Sequence, residues 1–592
     1  MSPSQEYEQR RKARSKRAEY HERLHIGIGN VRLLLAIAGV AVIWQAFGSH
    51  RVSLWWVLLP FFLFVALAYI HSRVLRAHQF ALSAVAVYDR GLARIEDRWA
   101  GTGQTGERFN DPHHIYAADL DVFGKGSLFE LLSMARTRMG EGTLANWLLS
   151  PAPLSIVRAR EAAISELRDK LDLREDLAVL GENVAVGVHP EALIEWAEGP
   201  RVLTAVWPRA VAKMLAIFAV AAVAVWAIYG LVTPFVLVLL IEGVLVFRLR
   251  KSMESVTHRA EHAFEDLSLL ADVLARLERE NFDSPHLRTL AGELLSEGKQ
   301  ASTAIARLRT LVDRVESRHN LFIRLIDLPL MYTVQVAYAV ETWRSRHGGA
   351  VRRWVSAVGE MEALLSLAAY SYEHPADTFP EFLDGAACFD GEDLGHPLIP
   401  AKNCVANTVR LCAETKVLLV SGSNMSGKST LLRSVGVNTV LAMAGAPVRA
   451  CKLKLTALQV GASIRVNDSL QEHSSRFYAE ITRLRQIVDA AAGGLPLLFL
   501  VDELLQGTNS RDRRIGGEAL IRELVRFGAI GLVTTHDLAL TEVPEDIDRH
   551  MVNVHFQDYL ENGKMHFDYR LRDGVVAKSN GLELMRSIGL QV

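Results

Sequence analysis

The chain has 592 residues, of which 50% are hydrophobic and 22% are charged. This composition excludes an intrinsically disordered chain, a collagen and a small disulfide scaffold, and the length allows roughly three to five domains. Lysine and arginine number 66 against 67 aspartate and glutamate residues, so any surface that binds a polyanion must be local.

The first predicted elements are a basic N-terminal tail, residues 1–30, and a transmembrane helical hairpin, residues 31–75. Two uncharged runs, Leu33–Ser49 and Val52–Ile70, are each long enough to cross a hydrocarbon core of about 30 Å. The excess of positive charge beside these runs predicts that both termini lie in the cytoplasm. The basic residues of the tail are Arg10, Arg11, Lys12, Arg14, Lys16, Arg17 and Arg23.

Residues 76–205 are predicted to form the first part of a helical core. A second apolar hairpin, residues 210–248, is predicted to follow it. The apolar stretch Met214–Phe247 would form a helix of about 51 Å, which is too long for one crossing. Gly230 and a nearby proline supply a break at its middle, which indicates a tight membrane-spanning hairpin. A buried core hairpin is the alternative. The single charge of the stretch, Glu242, is expected to be interfacial or partnered.

Residues 252–380 are predicted to form long antiparallel helices of the core, because apolar residues recur three and four apart over 264–277 and 305–315. The segment Asn281–Pro285 is expected to be the turn between them. Acidic neighbours favour solvated helix faces over phosphate contacts for the basic residues of this region. These basic residues are Arg307, Arg309, Arg314, Arg318, Arg344, Arg346, Arg352 and Arg353.

The cysteines are four in number and show no CxxC spacing. This pattern predicts a reducing compartment with neither a zinc site nor a disulfide framework. The four are Cys388, Cys404, Cys412 and Cys451.

Residues 381–592 change to short apolar strands that alternate with helices, the pattern of an α/β domain. A buried strand, Val417–Val420, leads into the sequence G-x-x-x-x-G-K-[ST] and then a helix. This is a phosphate-binding loop, in which backbone N–H groups surround phosphate oxygens at a helix N-terminus. Lys428 is expected to reach the β- and γ-phosphates, and Ser429 to bind Mg²⁺. The nucleotide-binding residues are Gly422, Ser423, Asn424, Met425, Ser426, Gly427, Lys428, Ser429 and Thr430.

Two further strands end in polar residues. The apolar strand Leu497–Val501 precedes Asp502 and Glu503, so Asp502 is expected to help hold the metal and Glu503 to act as general base. The strand from Ile530 precedes His536, which would lie at the same edge of the sheet and sense or polarise the γ-phosphate.

The conjunction of these motifs resembles the ATPase domain of the MutS family. Gly422-Ser-Asn-Met-Ser-Gly-Lys-Ser-Thr430 is similar to the family's G-P-N-M-G-G-K-S-T, and Thr535-His536 to its T-H. Asp502-Glu503-Leu-Leu-Gln-Gly-Thr-Asn-Ser510 is similar to D-E-x-x-x-G-T-S/N-S/T. The segment Asp468–Glu480 resembles D-D-L-x-x-G-x-S-T-F-x-x-E. The resemblance extends over roughly residues 115–592, interrupted by the second apolar hairpin.

The resemblance implies a dimer with composite sites, in which Ser475 of the opposite subunit would lie near the γ-phosphate. It also implies that the helices of residues 252–380 are lever helices, which carry the nucleotide state to a DNA clamp. The family's mismatch-reading domain has no room before residue 115, so mismatch specificity is not expected. Cys404 stands where the family tends to have an aromatic residue that stacks on adenine, so base selectivity is not assured. The closest match is the membrane-associated, MutS-related subgroup.

The sequence therefore predicts an α + α/β protein with transmembrane helical hairpins, an all-α core with long lever helices and a C-terminal P-loop α/β ATPase domain. Its expected function is that of a membrane-tethered, Mg²⁺-dependent ATPase that forms a homodimer and associates with DNA through phosphate contacts. The alternative is an ATP-dependent membrane switch or scaffold that acts on a protein partner. A transporter is disfavoured, because residues 452–496 contain no L-S-G-G-Q-like signature.

Overall fold

The computed structural model describes residues 1–47, 53–187, 189–205, 207–316, 327–423, 425–465, 476–506, 508–535, 549–561 and 564–576. These residues form two compact units. The first comprises Met1–Thr102 with Leu171–Val179, and the second comprises Gly103–Lys170 with Leu180–Val592.

Helices account for most of the N-terminal two thirds of the chain and alternate with strands in the remainder. They are α1 (Pro3–Phe47), α2 (Leu58–Ile95), α3 (Leu128–Leu132), α4 (Arg138–Leu149), α5 (Leu154–Leu167), α6 (Leu171–Gly187), α7 (Pro190–Glu198), α8 (Trp207–Tyr229), α9 (Thr233–Leu277), α10 (Pro285–Glu293), α11 (Ala301–Glu316), α12 (Tyr332–Glu373), α13 (Lys428–Ala444), α14 (Arg476–Ala491) and α15 (Ser510–Arg526).

The strands form a short hairpin and two larger sheets. They are β1 (Leu295–Ser296), β2 (Lys299–Gln300), β3 (Glu381–Phe382), β4 (Phe389–Leu394), β5 (Asn407–Leu411), β6 (Val417–Ser421), β7 (Lys452–Leu455), β8 (Gln459–Ser463), β9 (Leu497–Val501), β10 (Ile530–Thr535), β11 (Met551–Glu561) and β12 (Lys564–Asp573).

The first unit is built on an antiparallel hairpin of the long helices α1 and α2, joined by the start of α6. The positions of α1 that meet α2 recur every seven residues, which is the spacing of a coiled-coil seam. The pairs that meet across this seam are Arg11–Asp89, Ala18–His78, His25–His71, Arg32–Phe64 and Gly39–Pro60.

Three helical segments are long and apolar enough to cross a membrane, judged by length and composition only: Pro3–Phe47, Trp55–Ile95 and Trp207–Tyr229. Both halves of the first predicted hairpin are among them. Of the second predicted hairpin, only α8 is among these three segments. Helix α9 follows α8 after the predicted break at Gly230. Helix α9 continues without interruption from the apolar stretch into the lever region.

Glu242 lies on the apolar half of α9 and is fully buried. Neither of its carboxylate oxygens has a hydrogen-bond partner among the described residues. The expectation that this side chain is interfacial or partnered is therefore wrong for the described part of the chain. The apolar periodicity of the stretch could not reveal this, because it predicts which face is buried and not what covers it.

Among the basic residues of the lever region, Arg344 serves the packing of the helices. Its side chain is buried, pairs with Glu341 at 3.0 Å and donates to the carbonyl oxygens of Trp196 and Pro200. Exposed ion pairs join Arg309 to Asp313, Arg352 to Glu198 and Arg353 to Glu293. The exposed pairs agree with the prediction of solvated helix faces, whereas the burial of Arg344 contradicts it, and Arg318 lies outside the described residues.

The C-terminal domain is built on a six-stranded sheet with the order β12-β11-β6-β10-β9-β8. All its neighbouring pairs are parallel except β11 with β12. Buried residues of β6, β9 and β10, such as Leu419, Phe499 and Val533, form one core with α14 and α15. Because β10 lies between β6 and β9, the carboxyl ends of these strands lie side by side and present their following residues at one edge.

Gly531 of β10 lies where strand β9 approaches most closely. A Cβ atom built at Gly531 would lie 2.2 Å from the carbonyl oxygen of Phe499 and 2.5 Å from its ring. A paired backbone oxygen cannot move aside, so we expect Gly531→Ala to lower the free energy of unfolding by about 3 kcal/mol. Thermal unfolding of the purified full chain measures this. Gly494→Ala is the matched control, since a Cβ there meets nothing within 4 Å, and equal midpoints for both variants would contradict the prediction.

The sequence predicted no disulfide framework, and the structure contains one disulfide among the described residues. Cys388 and Cys412 flank the paired residues Phe389 and Leu411 of β4 and β5, and they form a disulfide. Their separation of 24 residues in the sequence concealed a pairing that the antiparallel register creates. Cys404 and Cys451 are free.

Candidate functional site

The phosphate-binding loop connects β6 to α13, as predicted. Gly427, at the N-terminus of α13, has φ +106°, a left-handed conformation that favours glycine. Lys428 is buried, and its ammonium donates to the carbonyl oxygens of Gly422 and Ser423 at 2.9 Å each. Burial lowers the pKa of Lys428, and the nearby Glu503 and Asp502 oppose this shift. The ammonium thus lies inside the loop, close to the carboxylates.

Asp502 connects the phosphate-binding loop to the two neighbouring strands. Its Oδ2 accepts a hydrogen bond from the Ser429 hydroxyl at 2.5 Å. Its Oδ1 accepts one from the Thr534 hydroxyl, and the Thr534 oxygen in turn accepts from the backbone N–H of Glu503 at 2.7 Å. The two residues assigned to the metal from the sequence, Ser429 and Asp502, are therefore in direct contact.

Glu503 begins the turn that follows β9. It has φ +52°, and this left-handed conformation costs a non-glycine residue roughly 1–2 kcal/mol. Its carboxylate accepts a hydrogen bond from the side chain of Gln506. The turn is also held by the buried Glu480 of α14, which accepts from the N–H of Leu505 at 2.6 Å. These contacts fix Glu503 beside the phosphate-binding loop.

A cavity of about 560 Å³ opens between the loop and the small four-stranded sheet, whose strand order is β3-β7-β4-β5. The cavity wall includes Cys404, Val405 and Tyr569 of β12, and the Tyr569 ring lies against Gly427 of the loop. Burial, with smaller effects of Arg433 and Arg449, lowers the pKa of the lining residue His396 to about 4, so its imidazole is neutral at neutral pH. The remaining lining residues are Leu394, Ile399, Asn403, Asn407, Met425, Gly427, Lys428, Ser429, Thr430, Leu431, Ser434, Glu503 and Phe556.

The donor set of the cavity fits a nucleotide triphosphate with Mg²⁺. The hydroxyl oxygens of Ser423 and Ser426 are buried and have no hydrogen-bond partner among the described residues, so phosphate oxygens would satisfy them. Ser429 and Asp502 supply the oxygen ligands that Mg²⁺ prefers. Within the described ranges no group of three or more His, Cys, Asp or Glu residues could hold a metal ion.

Three of the predicted site residues, Asn424, Ser475 and His536, lie outside the described residues. The chain leading to Ser475 is nevertheless anchored at its start. The buried Asp119 accepts from the N–H groups of Ile464 and Arg465 at 2.7 Å each, directly after β8. The remaining predicted site residues line the cavity or the loop beside it.

Sequence reasoning missed two residues of the site. Thr534 is buried in β10 and bonds Asp502, and a threonine directly before the Thr-His pair gave no distinct signal. Tyr569 is brought into the cavity from the last described strand, about 140 residues after the loop it contacts. An aromatic residue in an alternating strand carries no local mark of such a contact.

A buried polar network joins the cavity wall to the lever helix α12. Near the end of α12, the Tyr370 hydroxyl donates to Asp377 at 2.6 Å, and the Arg449 side chain contacts the same carboxylate at 3.4 Å. The Arg449 N–H donates to Asn438 of α13 at 2.7 Å, and its guanidinium donates to the carbonyl oxygen of Ile399 at 3.4 Å. Arg449 thus connects Ile399 of the cavity wall to the polar residues at the end of α12.

Cys404 has no ring on which adenine can stack, and Tyr569 supplies an aromatic ring in the same cavity wall. We expect Tyr569→Ala to weaken ATP binding about tenfold, because stacking of a base on an aromatic ring contributes roughly 1–3 kcal/mol. Tyr569→Phe keeps the ring, so this variant should bind ATP with the affinity of the parent protein. Calorimetric titration with a non-hydrolysable ATP analogue measures both. Equal affinity of the alanine variant would show that the ring does not contact the base.

Comparison with known proteins agrees with this geometry. The model of the family MutS domain V matches residues 418–591. "Endonuclease MutS2" of Pelotomaculum thermopropionicum is 27% identical over 260 residues, which is 42% of this chain and 31% of that protein. The same-named protein of Thermus thermophilus is 32% identical over 203 residues, 33% of this chain and 25% of the relative.

A third relative, "DNA mismatch repair protein MutS" of Lactococcus lactis subsp. cremoris, is 27% identical over 267 residues, 44% of this chain and 31% of that protein. The matches thus span about a quarter to a third of the length of these relatives. The matched family segment contains the phosphate-binding loop, Asp502, Glu503 and the strands that bring them together. The C-terminal domain of the chain is therefore a MutS domain V.

Proposed function

We propose that this protein is a membrane-tethered ATPase that binds and hydrolyses ATP with Mg²⁺ in a dimeric composite site and couples nucleotide state to its lever helices. The observation that carries the proposal is the 2.5 Å contact of Ser429 with Asp502 beside the buried Lys428. Loop, metal ligands and base candidate meet at one cavity, as the residues for phosphoryl transfer must.

In this proposal each side chain has one task in the hydrolysis. Backbone N–H groups of the loop and the hydroxyls of Ser423 and Ser426 hold phosphate oxygens, and Lys428 exchanges its two carbonyl partners for the β- and γ-phosphates. Ser429 and Asp502 would hold Mg²⁺, which neutralises charge on the phosphates when it is bound. Glu503 accepts the proton of the attacking water, and Thr534 orients Asp502 and the Glu503 backbone.

The membrane tether is supported by three apolar helical segments and by the basic residues that flank them. The charged flanks put the ATPase domain in the cytoplasm. The proposal places the first crossing pair in the α1–α2 hairpin, while the second hairpin, α8 with the first half of α9, is either a crossing pair or a buried one. Retention of the chain in alkali-washed membranes, with and without residues 1–75, tests the tether.

The composite site is a further part of the proposal, with Ser475 of one subunit near the γ-phosphate bound by the other. We expect Ser475→Ala to lower ATP turnover of the dimer about tenfold, because one hydrogen bond to a charged group is lost. Turnover is measured together with the oligomeric state by light scattering. A fully active monomer that carries the substitution would contradict the assignment in trans.

DNA association of the family type, through phosphates and without intrinsic mismatch reading, is the proposed partner interaction. The buried network of Tyr370, Asp377, Arg449 and Asn438 supports transmission from the nucleotide cavity to α12. The second candidate is a membrane switch that acts on a protein partner. It is favoured by the ion pairs that occupy Arg309, Arg352 and Arg353 of the lever region.

Steady-state ATP hydrolysis by the detergent-purified full chain separates these candidates. It is measured without DNA and with homoduplex, mismatched and branched DNA at two salt concentrations. Stimulation that fades with salt supports phosphate-dominated DNA binding, since each phosphate contact releases counterions. Basal turnover that ignores every DNA leaves the ATPase and supports the protein-partner switch. Absence of any Mg²⁺-dependent turnover would contradict the proposal as a whole.

A further inference from the structure

The seam of the α1–α2 hairpin carries polar residues at the level where both apolar runs end. The run Leu33–Ser49 begins directly after Arg32, and the run Val52–Ile70 ends directly before His71. His25 lies one seven-residue repeat before Arg32, and its ring centre is 4.7 Å from that of His71. We call Arg32, His25 and His71 the boundary cluster.

The boundary cluster has unused hydrogen-bonding capacity. Nε of Arg32 and Nδ1 of both His25 and His71 are buried, and none has a hydrogen-bond partner among the described residues. The Arg32 guanidinium lies 4.8 Å from the ring centre of Phe64, which covers one of its faces. Buried polar nitrogens without partners are costly, and a phosphate group offers the acceptor oxygens that arginine and protonated histidine bind.

The basic residues of the hairpin fall into two groups. Those farthest from the apolar runs are neutralised by carboxylates of the same unit: Arg10 by Asp172, Arg11 by Asp89 and Arg14 by Glu175. Those nearer the runs show no ion pair with a described residue, and the acidic side chains beside them are Glu19 and Glu22. This second group comprises Lys16, Arg17, Arg23, Arg32, Arg73 and Arg76. Arg32 directly precedes one apolar run and Arg73 closely follows the other, so positive charge unpaired by any described residue remains where a membrane surface would lie, whereas Lys16 and Arg17 lie farther from both runs.

Apolar surface continues directly below the boundary cluster. Leu33, Leu34 and Leu63 are exposed on the two helices, at 62%, 67% and 47%. Arg73 lies over the ring of Tyr69, 4.7 Å from its centre, at the same end of the apolar run. A ligand with a phosphate next to hydrocarbon chains matches both the boundary cluster and the exposed apolar surface below it. Inorganic phosphate matches only the boundary cluster.

We propose that the boundary cluster binds the phosphate of an anionic phospholipid of the cytoplasmic leaflet. This inference rests on the proposed membrane tether. The competing explanation is that polar residues in the seam only fix the register of the two helices, as buried polar residues do in coiled coils. The two explanations differ in what they predict for lipid binding by variants that still fold.

Native mass spectrometry of the full chain in a mild detergent provides the test, with phosphatidylglycerol and phosphatidylcholine added at equal concentration. We expect preferential adducts of phosphatidylglycerol, and about a tenfold loss of them in Arg32→Gln, since a charge-assisted hydrogen bond is removed. Arg17→Gln removes the same charge from the same helix, about 22 Å along its axis, and should retain the adducts. His25→Gln is the second variant, should Arg32→Gln fail to fold.

Equal adducts of the two lipids, or equal losses in Arg32→Gln and Arg17→Gln, would overturn the proposal in favour of the register explanation. Displacement of phosphatidylglycerol by an equal concentration of inorganic phosphate would show that the boundary cluster binds phosphate alone, and would overturn the proposal of a lipid ligand. Alkaline extraction of membranes distinguishes failure of the membrane tether from failure of the lipid site. A chain released by alkali refutes the tether and the lipid site together, whereas a retained chain without lipid preference refutes the lipid site alone.

Discussion

Replacing Glu503 with glutamine is expected to lower ATP turnover by two to three orders of magnitude, while ATP binding changes by less than about threefold. A general base contributes roughly 10²–10⁴-fold to a proton transfer, and glutamine cannot accept the proton of the attacking water. The isosteric amide preserves the shape of the turn after β9, where the Glu503 N–H is bound by Thr534 at 2.7 Å. The variant should therefore accumulate bound ATP.

Two measurements check this expectation, namely single-turnover hydrolysis and binding of radiolabelled ATP by the full chain. Glu523→Gln, an exposed carboxylate of α15, is the matched control and should hydrolyse ATP at the parental rate. Unchanged turnover in Glu503→Gln would remove Glu503 from the role of base. Loss of ATP binding in the same variant would instead assign it to nucleotide binding.

Replacing Lys428 with methionine is expected to weaken ATP binding about a hundredfold, which corresponds to about 3 kcal/mol, and to abolish measurable turnover. The ammonium lies within a buried loop and is held by two carbonyl oxygens at 2.9 Å. Methionine has a similar length and fills the space, so the loss reports the charge. Because burial lowers the pKa of Lys428, ATP binding should also weaken at a lower alkaline pH than an ordinary lysine would allow.

Lys402→Met provides the control for Lys428→Met, because Lys402 is exposed and belongs to the chain segment that leads to the cavity wall. Calorimetric titration with ATP and Mg²⁺ should distinguish the two variants clearly. Equal affinities would show that the phosphates do not lie at Lys428. Unfolding of Lys428→Met is recognised by the loss of its thermal transition, and Lys428→Arg then serves as the second variant.

A disulfide connects two strands of the four-stranded sheet that borders the cavity. Cys388 and Cys412 connect β4 and β5, and Asn407 at the start of β5 donates to the carbonyl oxygen of Tyr569 at 3.0 Å. The covalent connection and this hydrogen bond hold the same wall. The sequence offered only four scattered cysteines, because a cross-strand pair is created by register and not by spacing.

Elements whose signal is local could be predicted from the amino-acid sequence. Strands Val417–Ser421 and Leu497–Val501, the loop that ends at Lys428 and the acidic pair Asp502–Glu503 follow from short patterns of apolar and special residues. The uncharged runs near the N-terminus follow from composition over about twenty residues. Such signals act within one element, where periodicity and glycine or proline chemistry suffice.

Which residues from distant parts of the chain share a site could be seen only in the folded protein. The order of β6, β10 and β9 brings Thr534 to Asp502, and the last hairpin carries Tyr569 into the cavity. Burial of Glu242 without a described partner and the ion pairs of Arg10, Arg11 and Arg14 likewise depend on how helices pack. The physical reason is that a contact between residues far apart in sequence is fixed by strand register and helix packing, for which no single segment carries a signal.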